Sequence, residues 1–153
     1  MLRFLGNIEA KTDAKGRVFL PAVFRKILLA EGEERLVMRK DVHQECLVLY
    51  PESVWWRMQD ELRARLNRWN SRQQMLFRQF VSDVEVLTPD TAGRILLSRR
   101  YRELAGITTD VRFIGMDDTI EIWATSRTGE PFVGAEEFSS AMEMFLDEEA
   151  DRG

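Results

Sequence analysis

Two stretches of this chain share one pattern, Asp13-Ala-Lys-Gly-Arg-Val-Phe-Leu20 and Asp90-Thr-Ala-Gly-Arg-Ile-Leu-Leu97. Each has an aspartate, a glycine three residues later, then an arginine and three apolar residues. Aspartate initiates turns through its side chain, and glycine accepts the positive φ angle that closes a tight turn. We therefore predict a turn at Asp13 and Gly16, a second at Asp90 and Gly93, and after each a strand that starts with arginine.

The similarity of the two stretches continues along the chain in the same order. Further matched positions are Phe24 with Tyr101, Arg25 with Arg102, Ile27 with Leu104, Leu36-Val-Met38 with Val111-Arg-Phe113, and Leu47-Val-Leu-Tyr50 with Ile120-Glu-Ile-Trp123. The last two matches need small deletions in the second copy, where loops are expected. A consistent order over several segments predicts an internal duplication.

Each copy is predicted to follow one plan of strand, turn, strand, short helix and two further strands. The first strand is expected within residues 5–12 and again within 84–88, where the residues favour β structure. Pro21 suits the first position of one helix and Ser98 the cap of the other, while Gly32 and Gly106 are expected to end them. The plan is β-rich, with helices at its periphery.

A different element connects the copies. Trp55, Met58, Leu62, Leu66 and Trp69 follow helical spacing, which predicts a helix from about residue 53. The stretch Ser71–Gln74 resembles a capping box and predicts a second helix with Met75, Leu76 and Phe80 on one apolar face. Because Trp55, Trp56 and Trp69 are too large to stay exposed together, the stripe is interpreted as core or subunit interface.

Six arginines lie on these connecting helices: Arg57, Arg63, Arg65, Arg68, Arg72 and Arg78. They could form a nucleic-acid surface, but we favour a solvated face that pairs with Asp60, Glu61 and neighbouring subunits.

Charge is distributed unevenly along the 153 residues, whose net charge is −4. Residues 136–153 contain seven acids and one base, while residues 1–30 contain six bases and two acids. The basic end permits a phosphate-binding face, which includes Arg3, Lys11 and Lys15. The acidic end is expected to lie elsewhere.

Catalytic and metal chemistry find little support in the composition. The chain has one cysteine, Cys46, and one histidine, His43, so we predict neither a disulfide framework nor a zinc site. We interpret this pair as a strand-edge histidine beside a buried cysteine. Residues 14–17 lack the spacing of a phosphate-binding P-loop. We expect no enzyme activity, no cofactor, no small-molecule substrate and, without a signal peptide or spanning segment, no membrane contact.

The repeated turn has a physical role that can be argued from its residues. Asp13 can accept backbone hydrogen bonds and hold the Arg17 guanidinium, whose planar fork grips a phosphate or the edge of guanine. Lys15 adds a point charge at the tip. The alternative is a purely structural turn, since a lone surface Asp–Arg pair contributes little.

These features together resemble the MraZ family. The resemblance rests on the tandem motifs Asp13…Arg17 and Asp90…Arg94, on Leu49-Tyr50-Pro51 after the first copy and on Ile120-Glu-Ile-Trp123 after the second. It covers about residues 1–125 and implies an α+β, β-rich fold. Two tandem AbrB-like modules of the swapped-hairpin type would form a pseudo-twofold barrel with peripheral helices.

The implied organisation has four parts. Residues 7–54 form AbrB-like domain 1, residues 55–82 the connecting helices, residues 83–126 AbrB-like domain 2 and residues 127–153 an acidic C-terminal segment.

The resemblance also implies a function. Family members assemble into rings and bind direct-repeat boxes in the promoter of the division and cell-wall gene cluster, usually as repressors. The expected partners are therefore double-stranded DNA and further copies of the chain, in the cytoplasm at the nucleoid. The expected DNA-binding residues are Arg17, Lys15, Lys11, Arg94 and Arg3, with Asp13, Gly16, Asp90 and Gly93 shaping the turns. Ala92 and Ser98 stand where the first copy has Lys15 and Pro21, so the second copy is expected to contact DNA more weakly.

Two alternatives remain open at the level of sequence. The chain could be an antitoxin-like or scaffolding module, with the acidic segment as its partner-binding part. An RNA-binding role has less support, because few aromatic residues that could stack on bases lie near the motif.

Overall fold

The computed structural model describes residues 1–127 and 132–152, with side chains described as far as Asp147. In chain order the elements are β1 (Asn7–Lys11), β2 (Arg17–Phe19), α1 (Ala22–Ala30), β3 (Leu36–Lys40), β4 (Leu47–Pro51), α2 (Glu52–Arg65), α3 (Ser71–Ser82), β5 (Glu85–Leu87), β6 (Arg94–Leu96), α4 (Arg99–Ala105), β7 (Asp110–Met116), β8 (Thr119–Ala124), a single 3₁₀ turn (Thr125–Arg127) and α5 (Ala135–Arg152). The predicted order of strand, turn, strand, helix and two strands is present in both copies.

The strands of the two copies interlock instead of forming separate sheets. The main sheet has six strands in the order β1-β7-β8-β4-β3-β5, and β2 pairs with β6 in a two-stranded ribbon. The first strand of each copy thus pairs with the third strand of the other copy. Exchanging the two copies reverses the strand order and leaves it otherwise unchanged, so the chain has pseudo-twofold symmetry. The predicted α+β fold with swapped hairpins is confirmed.

Strand registers also agree with the alignment of the two copies. Leu47 pairs with Ile122 and Leu49 with Ile120, as a twofold axis between β4 and β8 requires. In the ribbon, Val18 pairs with Ile95, its own aligned counterpart. The small deletions assumed in the second copy therefore fall in loops, as expected.

One hydrophobic core serves both copies. The ribbon contributes Val18 and Ile95, and helices α1 and α4 contribute the aligned aromatic pair Phe24 and Tyr101, all packed on one face of the six-stranded sheet. Alternation along the short ribbon strands buries their central residues and leaves the flanking ones towards solvent, as period-two strands require. Since neither copy has a core of its own, the ribbon's position depends on both.

Three predictions about helix ends were wrong in detail. The cap of α3 is Asn70, whose side chain accepts a hydrogen bond from the Gln73 amide, and Ser71 is already helical. Ser98 occupies the cap position of α4 but its hydroxyl bonds to Glu85 instead. Pro21 is the cap of α1, one position before the helix.

The connecting helices cover the other face of the sheet only in part. Trp55 is buried, packs against Tyr50 and stacks on Phe80, but Trp56 and Trp69 are 51% and 96% exposed. The expectation that the three tryptophans avoid exposure was therefore wrong for two of them within one chain.

The arginines of these helices do not pair with Asp60 or Glu61 among the described residues. Arg57 pairs with Asp118 at 2.7 Å, and Arg63 lies over the Phe77 ring.

The predicted acidic segment contains α5, while its residues 128–131 and 153 lie outside the described residues. None of the described helices combines the length and apolar character that a bilayer crossing requires.

Candidate nucleic-acid interface

The first turn is held by one carboxylate. Oδ1 of Asp13 accepts hydrogen bonds from the backbone amides of Lys15 and Arg17, each at 2.9 Å. Its Oδ2 accepts from Nε of Arg17 at 2.8 Å. Among the described residues, the two terminal nitrogens of Arg17 have no hydrogen-bond partner. The clamp therefore fixes the guanidinium by its inner nitrogen and leaves the outer fork free for an acceptor.

The second turn repeats this arrangement. Oδ1 of Asp90 accepts from the amides of Ala92 at 3.0 Å and Arg94 at 2.8 Å, and its Oδ2 accepts from Nε of Arg94 at 2.9 Å. Gly16 and Gly93 close the two turns with φ angles of 87° and 89°, which side chains with a Cβ atom rarely adopt. The predicted turn geometry is present twice.

Hydrogen bonding keeps both aspartates ionised. The backbone amide of Arg17 makes the largest contribution to lowering the pKa of Asp13 below its ordinary value, and the guanidinium of Arg17 lowers it further. The pKa of Asp90 is lowered in the same way by Arg94. Each carboxylate thus serves as a permanent acceptor near neutral pH.

The ribbon brings the two arginines onto one surface. Arg17 lies opposite Leu96 and Arg94 lies opposite Phe19, so the arginines stand diagonally on the solvent side. Phe19 and Leu96 are about half exposed beside them, and the Arg94 guanidinium carbon lies 5.8 Å from the Phe19 ring centre. We call this set of four side chains, Arg17, Phe19, Arg94 and Leu96, the ribbon face.

Each turn is fastened to the opposite copy. The Leu20 amide donates to the Gly93 carbonyl at 3.0 Å, and the Leu97 amide donates to the Gly16 carbonyl at 2.9 Å. Two helix arginines extend the fastening: Arg25 of α1 donates to the Ala92 carbonyl, and Arg102 of α4 lies beside Gly16 while it donates to the Leu97 carbonyl. The ribbon face is consequently rigid only when both copies are folded together.

The predicted lysines border the ribbon face. Lys15 is exposed on the first turn, and Lys11 is exposed at the end of β1 just before that turn. Nζ of Lys11 is 3.9 Å from Asp110, a distance at which an exposed pair is weak. Both lysines are available to an anionic partner, and the second copy has neither of them.

Arg3 is not brought together with the other predicted residues. It precedes Phe4, which bridges to Asp117 at the far end of β7, whereas Lys11 pairs with Asp110 at the near end. Arg3 lines a surface depression with Glu31, Asp117 and Asp118.

Four residues of this surface were not predicted from the sequence. Phe19 and Leu96 were recognised only as strand residues, although their alternation with buried Val18 and Ile95 places them outside. Arg25 and Arg102 were aligned but assigned no role, and their contacts with the opposite turn follow from the swap alone.

Other candidate chemistry is absent from the part of the chain that the structure describes. No group of histidine, cysteine and acidic side chains there could hold a metal ion. His43 is exposed in the loop before β4 and Cys46 is buried, and burial raises the pKa of the Cys46 thiol.

Interlocked hairpins with two aspartate-clamped arginines on one exposed ribbon define a class: tandem AbrB-like proteins in which one chain supplies both halves of the swapped pair. Comparison with known proteins gives the family. A family model described as "MraZ protein, putative antitoxin-like" matches residues 3–79 and 80–127. The chain belongs to the MraZ family.

Curated relatives of the chain are named "Transcriptional regulator MraZ". One from Bacteroides thetaiotaomicron is 61% identical over 97% of this chain and 96% of its own length. One from Phocaeicola vulgatus is 63% identical over 95% of this chain and 94% of its own length. A more distant one from Serratia proteamaculans is 32% identical over 78% of each chain. The family is thus one of transcriptional regulators, and these names describe no enzyme.

Proposed function

We propose that this protein is a sequence-specific DNA-binding transcriptional regulator whose ribbon face enters the major groove. The observation that supports this most directly is the pair of clamped arginines with open outer nitrogens on one exposed ribbon. The major groove of B-DNA admits a two-stranded β-ribbon, and arginine forks recognise guanine or phosphate there.

The spacing of the ribbon face suits a duplex. Arg17 and Arg94 are two positions apart along antiparallel strands, which corresponds to about 7 Å along the ribbon. Phe19 and Leu96 present apolar surface between them, and apolar side chains contact the methyl group of thymine. Lys15 and Lys11 then meet phosphates on the side of the first turn.

The finer features of the proposal follow the family resemblance. We propose that copies of the chain form a ring, bind direct repeats in the promoter of the division and cell-wall gene cluster, and repress it at the nucleoid in the cytoplasm. A single ribbon face makes few contacts, and several of them joined in one assembly raise the affinity through effective concentration.

The test is binding of the duplex upstream of the protein's own gene, measured by fluorescence anisotropy at several salt concentrations. Arg17→Ala should weaken binding by about 10- to 100-fold and make the slope of log affinity against log salt shallower by about 0.9 if Arg17 contacts a phosphate. Arg94→Ala should weaken binding less, because no lysine supports the second turn.

Arg57→Ala is the matched control, since it removes an equal charge from an exposed arginine on α2 that pairs with Asp118. Arg3→Ala tests the separate predicted contact, and we expect it to weaken binding less than Arg17→Ala. Equal affinity of the wild-type protein for the upstream duplex and a scrambled duplex would refute the proposal.

A second candidate is an antitoxin-like protein-interaction module. The family description includes "antitoxin-like", and helix α5 exposes apolar residues that a protein partner could cover. Specific capture of a protein from another family by the wild-type chain, without preference for the upstream duplex, would favour this candidate.

A further inference from the structure

Helix α5 has an apolar side with no cover. Phe138, Met142 and Phe145 share one face at helical spacing and are 44% to 63% exposed. Glu136, Glu143 and Asp147 project from the opposite side of the same helix. Exposed apolar surface of this size on one helix is typical of a binding surface.

Helix α3 offers a second uncovered apolar surface. Its Phe77 and Phe80 side turns to α2, where Phe80 stacks on Trp55. Its other side exposes more than half of Met75 and Leu76. These two residues lie in a depression of about 360 Å³ whose full lining is Arg72, Met75, Leu76, Arg78, Gln79 and Ser82. We call this depression the α3 groove.

The two surfaces are complementary in charge as well as in polarity. Residues 135–152 of α5 carry seven acids and one base, whereas α3 carries Arg72 and Arg78 and no acid. When an apolar helix face lies in the α3 groove, its flanking acids come close to flanking arginines. Complementary charge of this kind sets the orientation and the choice of partner.

We propose that the apolar face of α5 docks in the α3 groove of a second copy of this chain. In the single chain both surfaces stay exposed, so their own helices do not cover each other. Two different patches that bind each other between copies form a head-to-tail contact, which builds a ring when the rotation closes. This contact specifies the assembly part of the proposed function and is independent of the ribbon face.

The test uses full-length variants and light scattering after size-exclusion chromatography, without DNA. Phe138→Asp with Phe145→Asp disables the α5 face, and Leu76→Asp disables the α3 groove. The wild type should run as a multi-chain assembly and each variant as a single chain. An equimolar mixture of the two variants should form a two-chain species, because each variant supplies the surface that the other lacks.

Leu29→Asp is the matched control, a similar change at an exposed leucine of α1, and it should assemble like the wild type. Circular dichroism checks that each variant is folded. A wild type that is a single chain at tens of micromolar, as when α5 covers its own chain, would overturn the proposal. So would variants that assemble normally, or a mixture in which no two-chain species forms. DNA affinity is measured separately, so the two proposals can fail independently.

Discussion

The turn of the first copy and the turn of the second differ in charge but not in construction. Both place an aspartate under two backbone amides and one guanidinium, with distances that agree within 0.1 Å for each matched contact. The first turn carries Lys15 at its tip, where the second has Ala92. Duplication has therefore kept the clamp that aims the arginine, while the charge around it has diverged.

The surroundings of the two glycines differ too. A Cβ atom on Gly16 would lie 2.6 Å from the Leu97 carbonyl oxygen, whereas the three nearest atoms at Gly93 all belong to the Arg25 side chain. A carbonyl in the ribbon is held by its neighbours, and a guanidinium can move aside. The same turn is consequently more tightly enclosed in the first copy.

The largest effect that we expect from this difference is on stability. Gly16→Ala should lower the free energy of unfolding more than Gly93→Ala, because it adds a backbone clash to the cost of positive φ. That conformational cost alone is about 1–2 kcal/mol. Chemical denaturation of both variants measures the difference.

Gly32→Ala provides the control for conformation without a clash. Gly32 also has a positive φ, of 69°, but a Cβ atom added to it would meet no other atom within 4 Å. Equal losses for Gly16→Ala and Gly32→Ala would show that the Leu97 carbonyl moves freely and that the two turns are equally enclosed.

A smaller effect is expected from equalising the charge. Ala92→Lys gives the second turn the lysine of the first, and the Ala92 amide already has the hydrogen bond that Lys15 has. Affinity for the upstream duplex should rise several-fold at low salt, and the salt slope should steepen by about 0.9 for one new phosphate contact.

Ala92→Gln is the neutral control for that substitution. If Ala92→Lys leaves the affinity and the salt slope unchanged, the second turn does not approach DNA, and the two copies differ in role and not only in strength.

The smallest expected difference is in acid, where the two clamps should behave alike. The pKa of Asp13 and that of Asp90 are both lowered by the same kinds of hydrogen bond. A lowered pKa in the folded state stabilises the clamp fully above the ordinary carboxyl range, and this stabilisation is lost as pH falls through the lowered value. The amide signals of Arg17 and Arg94 in an NMR titration should therefore shift together, below about pH 4.

Asp13→Asn tests the assignment, since an amide cannot titrate but still accepts a hydrogen bond. Its Arg17 amide signal should lose the acid shift while the Arg94 signal keeps it. Clearly separate midpoints for the two wild-type signals would show that the nearby lysines affect the first clamp.

Much of the fold could be predicted because its signals are local. The Asp-x-x-Gly-Arg pattern specifies a turn and a strand within eight residues, and its recurrence aligned the copies with the register that the strands have. Helix ends were less predictable, as Asn70 and Ser98 show, because several polar residues compete for one cap position. The exposure of Trp56 and Trp69 was also missed, since helical spacing alone does not say how much of a helix is covered.

The sequence by itself determined the two turns, the direction of their arginine-bearing strands and membership of one duplicated plan. These depend on backbone preferences of aspartate and glycine and on alternation, which act between near neighbours. Tertiary structure alone decided that the turns belong to one ribbon, that Phe19 stands beside Arg94, and that Arg25 and Arg102 support the opposite turn. Those contacts join residues far apart in the chain, and they exist because each half completes its sheet and its core with strands of the other.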